Sequence, residues 1–410
     1  MLRRIQALNY GCLRHVDVAL DAFHVLVGPN GSGKSTLFDL IAFARDAVTE
    51  GVQRAVEKRT NNLQDLVWGR PKHDAHFELA LEFDLPVTLQ EELRREGLSN
   101  CRGRYELAVS DSEYGPHAPA ENLRVVTETG VENDGLATTP PTSLMQGGDA
   151  FAGTHQALQR WIDERVAKMV PEEKLRRSVT ARISRGAGML ENIHTWLNLP
   201  FAETFEAGCR RLSLDSGCLR QASAPVARNG PLEPDGSNLP WAVKRLIDAD
   251  SERFHAWLGH LRTVLGELEG IRVVEREDDR HAYLMVRQPN GVEVPSWSLS
   301  EGTLRLLALT LIAYLPDTDC LYLVEEPENG IHPRAVEAVY QSLSSVYESQ
   351  VLIASHSTEV LICAEPKDVL CFGKDDDGAA RVTPGDRHPR LGHWRNAADV
   401  DLFFAPDILE

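Results

Sequence analysis

A run near the N-terminus, Gly28-Pro29-Asn30-Gly31-Ser32-Gly33-Lys34-Ser35-Thr36, fits the spacing G-x-x-x-x-G-K-[ST]. The chemistry of that spacing is phosphate binding. Glycines let the backbone curl until its N–H groups converge on phosphate oxygens. Asn30, Gly31, Ser32, Gly33, Lys34, Ser35 and Thr36 are therefore the expected phosphate-binding residues. Lys34 can reach the β- and γ-phosphates, and the Ser35 hydroxyl can hold Mg²⁺. Far downstream, Leu321-Tyr322-Leu323-Val324 runs into Glu325-Glu326-Pro327-Glu328. Hydrolysis of a nucleoside triphosphate needs one carboxylate near the metal and another to polarise the attacking water. Glu325 is assigned to the metal and Glu326 to the water. Ser300, followed by Gly302, opens an apolar helix and can place a hydroxyl, an amide and a helix N-terminus on a γ-phosphate. His356 follows the apolar run Gln350 to Ser355 and could sense the same phosphate.

These groups need elements to hold them. Phe23 to Val27 reads as a strand entering the glycine-rich run, and Thr36-Leu37-Phe38-Asp39-Leu40-Ile41 as the helix leaving it. Leu321 to Val324 and Val351 to Ala354 are continuous apolar runs, the pattern of parallel strands buried on both faces. His76 to Phe83 alternates and predicts a half-buried strand. Residues 108–155 are rich in Gly, Pro, Ser and Thr and predict loops and a hairpin. Residues 156–212 and 239–270 have helical spacing. The fold class is α/β: a core with a mixed sheet at 1–90 and 271–375, a mostly helical insertion lobe at 91–270, and a tail at 376–410.

The order of motifs resembles the ABC-type ATPases, and more closely the SMC/RecF-like branch known as AAA_21 or OLD-like ATPases. The resemblance covers residues 1–45 and 295–365 and extends loosely between them. It makes Leu299-Ser300-Glu301-Gly302-Thr303-Leu304-Arg305 the signature motif, Glu325 to Pro333 an extended Walker B, and Ser355-His356-Ser357 the switch histidine. It implies a P-loop NTPase of the ABC-ATPase head type, with Lys34, Glu326 and His356 as catalytic residues. It also implies that ATP and Mg²⁺ are bound between two copies of the chain, with Ser300 and Gly302 of one closing on the nucleotide of the other. OLD-like ATPases of Septu- and Gabija-type systems suggest a setting in antiviral defence, with a separately encoded nuclease as effector. The sequence departs from the commonest ABC pattern at Glu325, Glu301 and Thr303. Gln64 is the nearest candidate for a Q-loop glutamine.

Composition narrows the alternatives. A net charge of −18 excludes a general nucleic-acid coat, although a DNA-repair ATPase of RecF type, or a low-turnover scaffold, stays in view. Arg210-Arg211 and Lys174 to Arg177 are the basic clusters a DNA-binding reading would use; both read more simply as solvated helix faces. The longest apolar block, Leu304 to Leu315, is broken by Arg305, so no membrane association is expected. The scattered cysteines and the N-terminus without an apolar leader predict a cytoplasmic protein. His73-x-x-His76 and Asp375-Asp376-Asp377-Gly378 read as surface and turn rather than metal sites. The aromatic stretch near Phe403 is expected to pack on its own core.

Overall fold

The computed structural model describes residues 1–85, 87–95, 97, 99–127, 143–145, 208–228, 230–317 and 320–389. The chain forms two compact units. One takes in residues 1–21, 31–209 and 373–382, the other 22–30, 210–372 and 383–410.

The first unit is built on strands β1 (Leu2–Tyr10) and β2 (Leu13–Ala19), with helices α1 (Lys34–Glu50) and α2 (Val52–Glu57). The short strand β3 (Phe23–Val27), between β2 and α1, belongs to the other unit. The first unit continues with β4 (His76–Asp84), α3 (Val87–Arg95), β5 (Cys101–Ser110) and β6 (His117–Thr127). Its sheet runs β2-β1-β4-β5-β6, and every pair is antiparallel. β4 is not half-buried as its alternation predicts: Phe77, Leu79 and Leu81 are buried on one face and Glu78, Ala80 and Glu82 on the other. The Tyr10, Phe43 and Phe77 rings meet at 5.0–5.8 Å and bind α1 to the sheet. The buried Tyr10 hydroxyl adds a 2.5 Å hydrogen bond to Asp39 on the same helix.

The second unit holds β3, β12, β11 and most of β13 and β7 from a sheet that runs β14-β13-β3-β12-β11-β7. Its elements after β3 are β7 (Cys209–Leu212), α4 (Ser216–Arg220), α5 (Leu239–Ala249) and α6 (Ser251–Val264). A three-stranded antiparallel ribbon follows, formed by β8 (Gly270–Glu275), β9 (Ala282–Arg287) and β10 (Glu293–Pro295). Then come α7 (Glu301–Leu311), β11 (Leu321–Glu325), α8 (Pro333–Ser344), β12 (Gln350–Ser355) and α9 (Thr358–Cys363). The last two strands are β13 (Val369–Lys374) and β14 (Ala380–Pro384). Strands β13, β3, β12 and β11 run parallel, as their unbroken apolar sequences require. Helix starts follow ordinary capping rules. The Asp250 side chain caps α6, Ser300 caps α7, and Pro333 takes the first position of α8.

Parts of the interval 91–270, expected as a mostly helical insertion lobe, lie among the described residues. Its described parts include the long hairpin β5–β6, which extends the first sheet. They also include α5 and α6, whose Val243, Leu246, Trp257 and Leu261 share one core with α7, α8 and β11. The hairpin was only partly legible because β5 hides charges. Arg104 and Glu106 face inward, with Arg104 Nε donating to Glu106 at 2.7 Å and Nη1 to Glu82 at 2.7 Å. A buried ion pair reads as surface in a hydropathy pattern. The helical spacing at 156–207, Lys174 to Arg177 and the aromatic tail near Phe403 lie outside the described residues. Arg210 and Arg211 do not sit on a helix face; they lie in strand β7.

Candidate functional site

The carboxyl ends of the parallel strands fall level with one another. Ser355 pairs with Val27 in register, Cys371 also pairs with Val27, and Glu325 pairs with Ala354. The start of the glycine-rich run, the Glu325–Glu326 pair and Ser355–His356 therefore leave the same edge of one sheet. That edge is where open α/β sheets bind ligands.

The glycine-rich run begins at Gly28, which is buried, and Gly31 and Gly33 take φ of 75° and 108°. Gly33 caps α1 in the left-handed region and supplies no side chain to its first turn. The first intrahelical bond runs from the Leu37 N–H to the Gly33 carbonyl, so the amides of Lys34, Ser35 and Thr36 lie before the helical ladder. The first turn carries no acidic residue. Those amides and the helix dipole favour an anion. A Cβ on Gly33 would lie 2.8 Å from the Ala380 Cβ and 3.1 Å from the Cys12 Sγ. The loop is thus braced by the β1–β2 turn and by β14. The Cys12 thiol also donates to the Thr36 hydroxyl at 3.3 Å, and a Cβ on Gly11 would strike the Thr36 methyl. None of Gly11, Cys12 or Ala380 was picked out from the sequence. The signal for Gly11 was a lone glycine between two strand patterns.

Ser32 is 1% exposed, and its hydroxyl has no hydrogen-bond partner among the described residues. A buried hydroxyl left unsatisfied in a phosphate-type loop fits a site shaped to take an acceptor. Lys34 is half-buried, while Asn30, Gly31 and Ser35 are exposed. The Ser35 hydroxyl is a hard oxygen donor of the kind magnesium takes, the ion keeping waters and phosphate for the rest. The donor chemistry of the residues present therefore fits ATP with magnesium.

At the acidic turn, Glu326 takes φ of 46°, a left-handed conformation that non-glycine residues adopt at a cost of about 1–3 kcal/mol. Its N–H donates to the Ala354 carbonyl at 2.8 Å, which fixes the turn to β12. The carboxylate then meets His356, with Oε1 3.3 Å from Nδ1. Its other oxygen accepts from the Asn329 side chain. The structure thus brings Glu326 and His356 together, and adds Asn329, which the sequence had given no role of its own. Glu325 points elsewhere: its Oε1 accepts from Arg211 Nη2 at 2.6 Å. Glu328, given no role from sequence, accepts from the Ser355 hydroxyl at 2.6 Å. Burial pushes the Glu328 carboxyl above the usual carboxylate range, with Glu326 nearby adding to the effect and Ser355 and His356 opposing it.

Ser300 is exposed and its hydroxyl accepts from the Thr303 N–H at 3.1 Å. Gly302 has a steric role. A Cβ there would lie 2.5 Å from the Gly330 carbonyl oxygen, so the α7 start and the Asn329-Gly330-Ile331 turn are pressed backbone to backbone. Gln64 lies in a single 3₁₀ turn, with its side chain donating to the Lys72 carbonyl at 3.1 Å. His76 is engaged by Ser110 and Glu78. Asp375 closes its own turn by accepting from the N–H groups of Asp377 and Ala379.

A glycine-rich loop off a buried parallel strand, with two acids and a Ser-His at the same edge, defines a mixed α/β nucleotide-binding fold of the P-loop class. Within that class the chain belongs to the family described as "AAA domain, putative AbiEii toxin, Type IV TA system", which matches residues 23–95 and 223–362, just over half of it. A curated relative, the "Old nuclease" of Escherichia phage P2, is 31% identical over 103 residues. That match covers 22% of this chain and 18% of the relative, so the chain spans under a fifth of that protein. Among solved structures, an SMC head bound to the C-winged helix domain of ScpA aligns with 93% of this chain and 97% of its own, at 14% identity and a TM-score of 0.45. The SMC head domain from Thermotoga maritima aligns with 93% of this chain and 98% of its own, at 12% identity and a TM-score of 0.42. No helix among the described residues is long and apolar enough to cross a membrane.

Proposed function

We propose that the chain is an ATPase that binds ATP with Mg²⁺, pairs with a second copy around the nucleotide, and governs a separately encoded effector in antiviral defence, a nuclease being the expected one. The observation that carries the hydrolytic part is the Glu326–His356 pair, held in a strained turn at the ligand-binding edge of the sheet. Glu326 accepts a proton from the attacking water, and His356 orients that carboxylate and faces the leaving phosphate. Lys34 and the loop amides balance the charge of the phosphates. Ser35 and Glu325 would hold magnesium, which when bound supplies charge neutralisation at the β- and γ-phosphates. Ser300 of the second copy would complete the site, its helix N-terminus being exposed.

The test is steady-state ATP hydrolysis by the parent, by Glu326→Gln and by Lys34→Ala, with size read by light scattering with and without ATP. Hydrolysis in the parent, its loss in both variants, and an ATP-dependent dimer that accumulates in Glu326→Gln are the expected results. Absence of hydrolysis together with absence of an ATP-dependent size change would overturn the reading. A second reading, a low-turnover scaffold, draws on one contact. Arg211 donates to one carboxylate oxygen of Glu325, the residue assigned to magnesium. On that reading Arg211→Ala raises turnover above the parent.

A further inference from the structure

We infer that Glu328 is a positioning residue: through Ser355 it ties the acidic turn to the end of β12 and so sets His356 against Glu326. The inference rests on the reading of Glu326 and His356 as the water-polarising pair.

Ser355 is the last residue of β12 and is fully buried. Its hydroxyl donates to Glu328 Oε1 at 2.6 Å and accepts from the Ser357 N–H at 3.0 Å. His356 lies between those two serines, so this one hydroxyl fixes the backbone on either side of the imidazole. On the other side, Glu328 is tied into the turn that presents Glu326. The Asn329 N–H donates to the Glu326 carbonyl at 3.0 Å, and the Ile331 N–H to the Glu328 carbonyl at 3.0 Å. The two halves of the pair follow different strands, β11 and β12, and the Glu328–Ser355 bond is a side-chain link between the two chain segments.

The second Glu328 oxygen, Oε2, is buried without a hydrogen-bond partner among the described residues. A charged carboxylate would leave that oxygen unsolvated beside Glu326, at high cost. Burial accordingly favours the neutral acid. With Oε1 bonded to Ser355 and Oε2 buried, neither oxygen is offered to water or metal. Its service to the reaction is therefore geometric, and a displacement of about 1 Å in a reacting group can cost on the order of 100-fold.

The experiment compares Glu328→Gln, Glu328→Ala, Ser355→Ala and the double alanine variant with the parent. Turnover, KM for ATP, ATP affinity by calorimetry, and the His356 imidazole signals in nitrogen-15 spectra are recorded for each. Glu328→Gln keeps an acceptor for Ser355 and retains most of the turnover. Glu328→Ala lowers kcat about 10- to 100-fold with ATP affinity nearly unchanged, and Ser355→Ala does the same. The double variant is no worse than either single one, because both remove the same link. The His356 signals move in the alanine variants and stay in place in Glu328→Gln. Loss of turnover in Glu328→Gln equal to that in Glu326→Gln would overturn the inference, because it would make Glu328 a charged participant. So would unmoved His356 signals in Glu328→Ala. A parent without hydrolysis would refute the ATPase reading alone, since the imidazole signals still test the link.

Discussion

Replacing Gly302 by alanine separates two explanations for a glycine in the signature stretch. If the residue served only to offer its amide to a phosphate, alanine would leave the nucleotide-free protein as stable as before. The structure requires otherwise. The new Cβ would sit 2.5 Å from the Gly330 carbonyl oxygen. Backbone on both sides means that no side chain can rotate away, so the α7 start and the turn after β11 must separate by at least about 0.5 Å to reach the closest ordinary contact. Overpacking of this kind costs about 1–3 kcal/mol, and a backbone obstacle belongs at the upper end. Alanine recovers up to about 1 kcal/mol through helix propensity. The net loss is about 2 kcal/mol, or a melting temperature lower by roughly 4–8 °C in a domain of this size. Gly259 supplies the control. It is exposed on α6 with nothing within 4 Å of an added Cβ, so the same substitution there stabilises by about 0.5–1 kcal/mol. Both variants are melted by circular dichroism without nucleotide. If Gly302→Ala melts at or above the parent while Gly259→Ala rises as expected, the close approach of α7 to the Gly330 turn is refuted.

Other perturbations follow the same logic. Gly33→Ala meets both a φ of 108° and the Ala380 methyl at 2.8 Å, so it should abolish ATP binding measured by calorimetry; wild-type affinity would refute the bracing of the loop. Arg104→Ala strands the buried Glu82 and Glu106 carboxylates and should cost about 3–5 kcal/mol in urea unfolding, with part regained on adding Glu106→Gln. Glu328 has a raised folded pKa, so its contribution to stability is fully present below the unfolded carboxylate value of about 4.3 and is lost as pH rises through the folded value. The parent should therefore lose stability relative to Glu328→Gln as pH rises above about 4.3, and melting temperatures of the two that stay parallel with pH would contradict this.

Much of the nucleotide side of the fold was legible because buried parallel strands have an unmistakable pattern. Val25 to Val27, Leu321 to Val324 and Val351 to Ala354 are apolar without interruption, and the chemistry-bearing residues follow each directly. The braces were not legible. Cys12 and Ala380 touch the loop from positions far apart in sequence, and neither carries a motif. The steric demand on Gly302 was not legible for a related reason: a glycine that binds and a glycine that makes room look the same in a string of letters. Arg211 was read as part of a solvated patch because nothing in Arg210-Arg211 announces that one of the pair reaches Glu325. In β5 the inward charges Arg104 and Glu106 masked the strand alternation, since an ion pair satisfied inside a protein is written with the residues of its surface.

The two neighbours of β3 carry a consequence for how the protein is made. β3 ends at Val27, and the strands that flank it, β12 and β13, begin at Gln350 and Val369. During synthesis at about 5–20 residues per second, the finished β3 waits roughly 15–65 s before either partner leaves the ribosome. For that interval the four buried residues His24 to Val27 have no sheet to join. The sheet edge from which the glycine-rich run leaves is therefore completed late in synthesis.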